Sequence, residues 1–135
     1  MSAKGTPSAA SRVRMATTAD AAEVARLLRQ LGCVRWTGSD ADMARKVGSF
    51  LARPRAARTL VIDGREPGTL GALAIVHTLA APADDGVQLF LDDFVVDDAA
   101  RGQGLGKLLL AAVLELAARD EAVLVHARLD PGNES

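Results

Sequence analysis

Apolar positions recur at two different spacings along this chain, and each change of spacing marks an element. Val24, Leu27, Leu28 and Leu31 fall at i, i+3, i+4 and i+7, one face of a helix. The preceding Ser11–Thr17 alternates and predicts a short first strand. Asp20 and Glu23 have the spacing of a capping pair ahead of that helix, and Gly32 supplies its stop. Met43, Val47, Phe50 and Leu51 predict a second helix over Ser39–Arg53, ended by Pro54. Strands then dominate. Arg58–Asp63 and Gly68–Leu79 flank a Gly/Pro turn and predict a hairpin. A second turn, Ala81–Gly86, leads to a long strand, Val87–Asp97, which carries Asp92 and Asp93 inside its apolar run. Leu105, Leu108, Leu109, Ala112, Val113 and Leu116 form the stripe of a third helix, and Ala122–Leu129 reads as a fifth strand. The order β-α-α-β-β-β-α-β predicts an α/β (α+β) fold. Its sheet is mixed and mostly antiparallel, with a parallel β-α-β unit late in the chain.

Composition narrows this picture without changing it. The 135 residues suit one domain, expected over residues 11–135, with residues 1–10 as a loose polar tail. A formal net charge of -1 argues against nucleic acid or an anionic membrane as a main partner. No apolar run approaches the roughly 18 residues of a membrane span, and the N-terminus lacks the apolar region of a secretory signal. A lone cysteine, Cys33, agrees with a cytoplasmic location, and two scattered histidines make no metal-site pattern.

The joint between the fourth strand and third helix carries the chemistry. Gly102, Gly104 and Gly106 stand at alternate positions there, flanked by Arg101 and Lys107. The first amides of a helix lack internal partners and carry the positive end of its dipole, so a glycine loop at this point is an anion site. A Walker A loop would need glycine where Arg101 stands and a hydroxyl residue where Leu108 stands. The dinucleotide fingerprint needs G-x-G-x-x-G, whereas the spacing here is G-x-G-x-G.

The pattern R-x-x-G-x-G, here Arg101, Gly104 and Gly106, resembles the acetyl-coenzyme A loop of the GCN5-related N-acetyltransferases. The resemblance extends from about Val13 to Asn133. It takes in the first strand and helix, the strand-loop-helix unit with Val96 five residues before the arginine, and the closing "HARLDPGN". It implies that backbone amides of Gln103, Gly104, Leu105, Gly106 and Lys107 hold the pyrophosphate; Gly102 and Gly104, without side chains, let a phosphate approach, and Arg101 and Lys107 add positive charge nearby. It further implies that Phe94, Val95 and Val96 pair through their backbone with the pantetheine arm, in a gap between the fourth and fifth strands. The Val96 amide would polarise the thioester carbonyl, and an acceptor amine would attack it directly. Asn133 follows the fifth strand in the place of the family's asparagine.

Asp92 and Asp93, on opposite faces of a regular strand, are candidates for a catalytic base or a water-holding group. His77 and His126 read as sheet-face histidines, and Cys33 and Trp36 as packing residues between the first two helices. The family ordinarily continues past the position of Asn133 with a helix and two strands, and that helix often offers a tyrosine as leaving-group acid. The sequence ends at Ser135 and contains no tyrosine. The expectation is therefore a C-terminally incomplete domain with reduced activity, whose uncovered fifth strand favours a homodimer. Two other readings stay open: a non-catalytic coenzyme A-binding module, and a nucleotide-phosphate binder using the same helix terminus.

Overall fold

Five strands form a single sheet in chain order. A computed structural model describes residues 12–31, 38–53, 57–81 and 86–127. In it β1 (Val13–Met15), β2 (Ala57–Asp63), β3 (Leu70–Ala81) and β4 (Gly86–Val96) are successive antiparallel neighbours. β5 (Leu124–Ala127) lies parallel to β4. A parallel pair needs a crossover, and α3 (Leu105–Arg119) provides it. The mixed sheet expected from the element order is the sheet observed. Cys33, Trp36, Pro54, Asn133, the tail and most of the Ala81–Gly86 turn lie outside the described residues.

The sheet separates two apolar layers because its strands alternate. Val61, Leu73, Ile75 and Val95 face α1 (Ala21–Arg29) and α2 (Asp40–Ala52), where they meet Val24, Leu27, Leu28, Met43 and Val47. Leu60, Ile62, Ala72, Ala74, Val76, Leu89 and Val96 face α3 and meet Leu105, Leu109, Val113 and Ala117. Small β3 residues let α3 approach closely. A side chain at Gly71 would come within 2.9 Å of Leu105 Cδ1. Phe50 departs from the expected stripe and is 40% exposed, because Met43 and Val47 already occupy the face turned to α1.

The capping pair is also displaced. Asp20 Oδ2 accepts from the Thr17 amide at 2.7 Å in a 3-10 turn, Thr18–Asp20, that precedes α1. Glu23 instead takes the Leu70 amide at 2.8 Å and a paired contact from Arg26.

One irregularity in β4 corrects the sequence reading. Asp93 stands opposite Ile75, but Leu91 stands opposite Val76, so Asp92 is an extra residue. Such a bulge restarts the alternation. Leu91 and Val96 can therefore both face α3, although five positions separate them. Asp92 and Asp93 consequently do not take opposite faces. Asp93 shares the side of Ile75, and Asp92 reaches His77, which lies on that same side.

Candidate active site

Gly102 and Gly104 adopt φ of +83° and +77°, the left-handed region that a side chain resists, and a Cβ on either would enter open space. Gly104 is the N-cap of α3, and its carbonyl accepts from Leu108 at 3.2 Å. The amides of Leu105, Gly106 and Lys107 precede that first intrahelical bond, and the N-cap has no side chain to satisfy them. They look into a cleft of about 540 Å³ lined by Phe94, Val96, Arg101, Gly102, Gly104, Leu105, Gly106, Lys107 and Leu110. Arg101 Nε lies 3.2 Å from Asp98 Oδ1, an exposed pair that holds the guanidinium loosely. Arg101, Gly102, Gly104, Leu105, Gly106 and Lys107 thus line one cleft. Gln103 lines a second cleft, of about 570 Å³, on the side of the β2–β3 turn.

The same cleft reaches the end of β4. Val95 and Val96 bury their side chains in opposite cores, which leaves the backbone edge for recognition. The Asp97 amide donates to Gly71 O at 2.8 Å, toward β3. Donor direction alternates along an antiparallel strand, so the Val96 amide points away from β3. β5 pairs with β4 from Gln88 to Leu91 among the described residues, and the bulge at Asp92 follows at once.

A polar network fixes this strand end. Arg26 Nη2 donates to Glu23 Oε1 at 2.8 Å, to Asp97 Oδ2 at 3.2 Å and to Leu70 O at 3.2 Å. Gln30 Nε2 donates to Asp97 Oδ1 at 3.1 Å, and Gln30 Oε1 accepts from the Asp98 amide at 3.1 Å. Burial works to raise the Asp97 carboxyl. Hydrogen bonds from Arg26, Gln30 and the Ala99 amide, with the charge of Arg26, outweigh it and hold the group below its ordinary range. Glu23 is lowered chiefly by its hydrogen bonds from Arg26, against the cost of burial. The network was not apparent in the sequence, since Arg26, Gln30 and Asp97 meet only through the fold.

Around the bulge a second polar group collects. His77 Nε2 lies 3.6 Å from Asp92 Oδ2. His126 stacks on Phe90 with centroids 5.0 Å apart, and its Nε2 lies 2.7 Å from Gln88 Oε1. The two histidines therefore lie within a few registers of the two carboxylates, near the middle of β3 and β4. Among the described residues, no group of three or more His, Cys, Asp or Glu could hold a metal ion, and no helix is long and apolar enough to cross a membrane.

A family model, that of the Acetyltransferase (GNAT) family, matches residues 26–135. No curated protein sequence matches the chain. Among solved structures, a ribosomal-protein-alanine N-acetyltransferase from Brucella melitensis biovar Abortus 2308 is 22% identical, with a TM-score of 0.75 over 90% of this chain and 82% of that one. Glucosamine-6-phosphate N-acetyltransferase from Arabidopsis thaliana is 21% identical, with a TM-score of 0.73 over 90% and 83% of the two chains. An acetyltransferase from Trypanosoma brucei is 20% identical, with a TM-score of 0.72 over 91% and 92%.

Proposed function

Because the chain belongs to the acetyltransferase (GNAT) family, we propose that it binds acetyl-coenzyme A through the glycine loop and the β4 edge and transfers the acetyl group directly to a primary amine. The observation that carries this reading is the uncapped N-terminus of α3, opening into the cleft that the end of β4 also lines. The amides of Gln103 to Lys107 hold the pyrophosphate, and Arg101 and Lys107 add positive charge. The backbone of Phe94, Val95 and Val96 holds the pantetheine arm. The Val96 amide, directed away from β3, donates to the thioester carbonyl as negative charge develops there. Asp92 and Asp93 supply negative charge beside the acceptor and assist its deprotonation.

Asn133 stays a proposed coenzyme A contact on the resemblance alone. With no tyrosine in these 135 residues, thiolate protonation falls to water or another side chain, and turnover by this chain is slow. We place the protein in the cytoplasm as a homodimer, with a small molecule or a protein amine as acceptor.

Calorimetry with acetyl-coenzyme A tests the loop. Gly104→Val puts a branched side chain on a left-handed residue in the cleft mouth, and binding should be lost. Unchanged affinity would sink the assignment. Thiol release with a panel of primary amines then tests transfer; tight binding with no release from any amine would favour a non-catalytic coenzyme A module.

A further inference from the structure

We propose that Gln30, the C-cap of α1, is a positioning residue that aligns the glycine loop with the amide edge of β4 so that one coenzyme A molecule reaches both, an inference that rests on the transferase reading above. The two parts of that site belong to separate elements. The strand edge ends at Val96, and the uncapped helix begins at Leu105. Between them lie Asp97, the 3-10 turn Asp98–Ala100 and the exposed residues 101–104. Pyrophosphate and pantetheine are covalently linked. A ligand spanning both parts gains from the second only if the spacing between them is right.

This joint holds itself weakly. The Ala100 amide donates to Asp97 O at 2.8 Å, but the Ala99 amide meets Asp97 Oδ1 at 3.4 Å, long for a hydrogen bond. The pair between Asp98 and Arg101 is exposed, and Gly102 and Gly104, both at positive φ, add backbone freedom beyond it. The direction of the turn is therefore set from outside, by α1.

Gln30 Nε2 donates to Asp97 Oδ1 at 3.1 Å, and Gln30 Oε1 accepts from the Asp98 amide at 3.1 Å. One planar amide thus grips the side chain of the first residue after β4 and the main chain of the next. Its orientation is unique, because a carboxylate only accepts and an N–H only donates; the reversed amide would oppose both partners. Arg26 anchors Asp97 to Glu23 and to Leu70 O, on the strand side of the joint. Among the described residues, Gln30 is the group of α1 that bonds to the turn itself.

Removing the amide leaves the fold its other supports. The Asp97 amide still donates to Gly71 O at 2.8 Å, and Arg26 still holds the carboxylate. The freed Asp98 amide lies on an exposed residue, where water replaces the lost acceptor. The loss falls on alignment rather than on the fold.

The experiment is calorimetry on the full chain with two probes. Coenzyme A engages the loop and the strand edge together, whereas adenosine 3′-phosphate 5′-diphosphate carries the pyrophosphate without the pantetheine arm. Gln30→Met keeps the length of the side chain and removes both hydrogen bonds. Gln30→Asn keeps the amide but is one methylene too short to reach both partners. In each variant coenzyme A should bind about 10-fold more weakly, whereas the affinity of the diphosphate should change by about twofold or less. A purely structural role would weaken the two probes alike, and that result would overturn the proposal. Unchanged affinity for coenzyme A in the variants would do the same. A parent chain that binds the diphosphate as tightly as coenzyme A would show that the strand edge adds nothing, and would also overturn it. Failure of the parent chain to bind either probe would instead remove the transferase reading, and this inference with it.

Discussion

Gly104 and Gly106 stand two residues apart and answer to different constraints. Gly104 sits at φ +77° with open space around it, so its cost to a replacement lies in the backbone. Gly106 has no such φ, and a Cβ there would meet Phe94 and Val96 at an ordinary 3.7 Å. Gly104→Ala should therefore destabilise the fold by about 1–2 kcal/mol, the cost of a left-handed residue. Gly106→Ala, in the first turn of α3, should be neutral or stabilising by up to about 1 kcal/mol. Urea denaturation of the two variants checks the contrast, and equal losses would contradict it. The glycine loop was legible in the sequence because positive φ imposes a residue type. The bulge at Asp92 was not, because a bulge accepts an ordinary residue and leaves no pattern. Strict alternation therefore predicts opposite faces for the two aspartates, whereas they share one.

The elements themselves were readable where a face is buried throughout. The α3 stripe and the β2–β3 hairpin follow from apolar spacing, and their observed bounds differ by a residue or two from expectation. What spacing could not reveal is which polar residues tie the elements together. Glu23 has the spacing of a cap, yet it serves Arg26 and the Leu70 amide, because the start of β3 offers an amide that needs a partner. Through Arg26 and Asp97 this contact also fixes the strand end whose amide edge forms the cleft.

Asp97→Ala would leave Arg26 and Gln30 without their shared acceptor, and a loss of about 1–3 kcal/mol is expected by thermal or chemical denaturation. The network also sets a pH dependence. Glu23 and Asp97 titrate below their ordinary values of 4.5 and 3.8, so the folded state binds protons less readily than the unfolded chain. Their contribution is fully present above about pH 5 and is lost as the pH falls through the depressed folded values. Tm should drop between pH 5 and pH 3, and Arg26→Met should flatten that part of the curve. An Arg26→Met curve as steep as that of the parent chain would assign the acid sensitivity to other groups.

At the scale of the whole molecule, the two edges of the sheet differ among the described residues. β1 is a three-residue strand, and its Arg14 is engaged by Asp20 and Asp63. A short edge with a charged, occupied side chain gives little purchase to another chain. β5 ends the other side, with no neighbour beyond it among the described residues. Val123 and Leu124 are 47% and 51% exposed there. On α3, Leu110 and Leu114 lie one turn apart and are 43% and 52% exposed, adding a second apolar stripe to the surface. Two such features invite association, and a net charge of -1 gives little repulsion against it. A second copy suits the β5 edge because strand pairing about a two-fold axis presents the same surface from both partners. The expected result is a light-scattering mass of twice the 14.1 kDa chain at micromolar concentration, falling on dilution. Leu124→Lys places a charge on the edge and should shift the protein to monomer, and its Tm should fall only by the stabilisation that association gave, since Leu124 contributes little to either core. Leu114→Lys should leave the dimer intact if β5 pairing alone joins the copies, and should weaken it if α3 shares the interface. A monomeric mass across the micromolar range, unchanged by Leu124→Lys, would exclude the dimer.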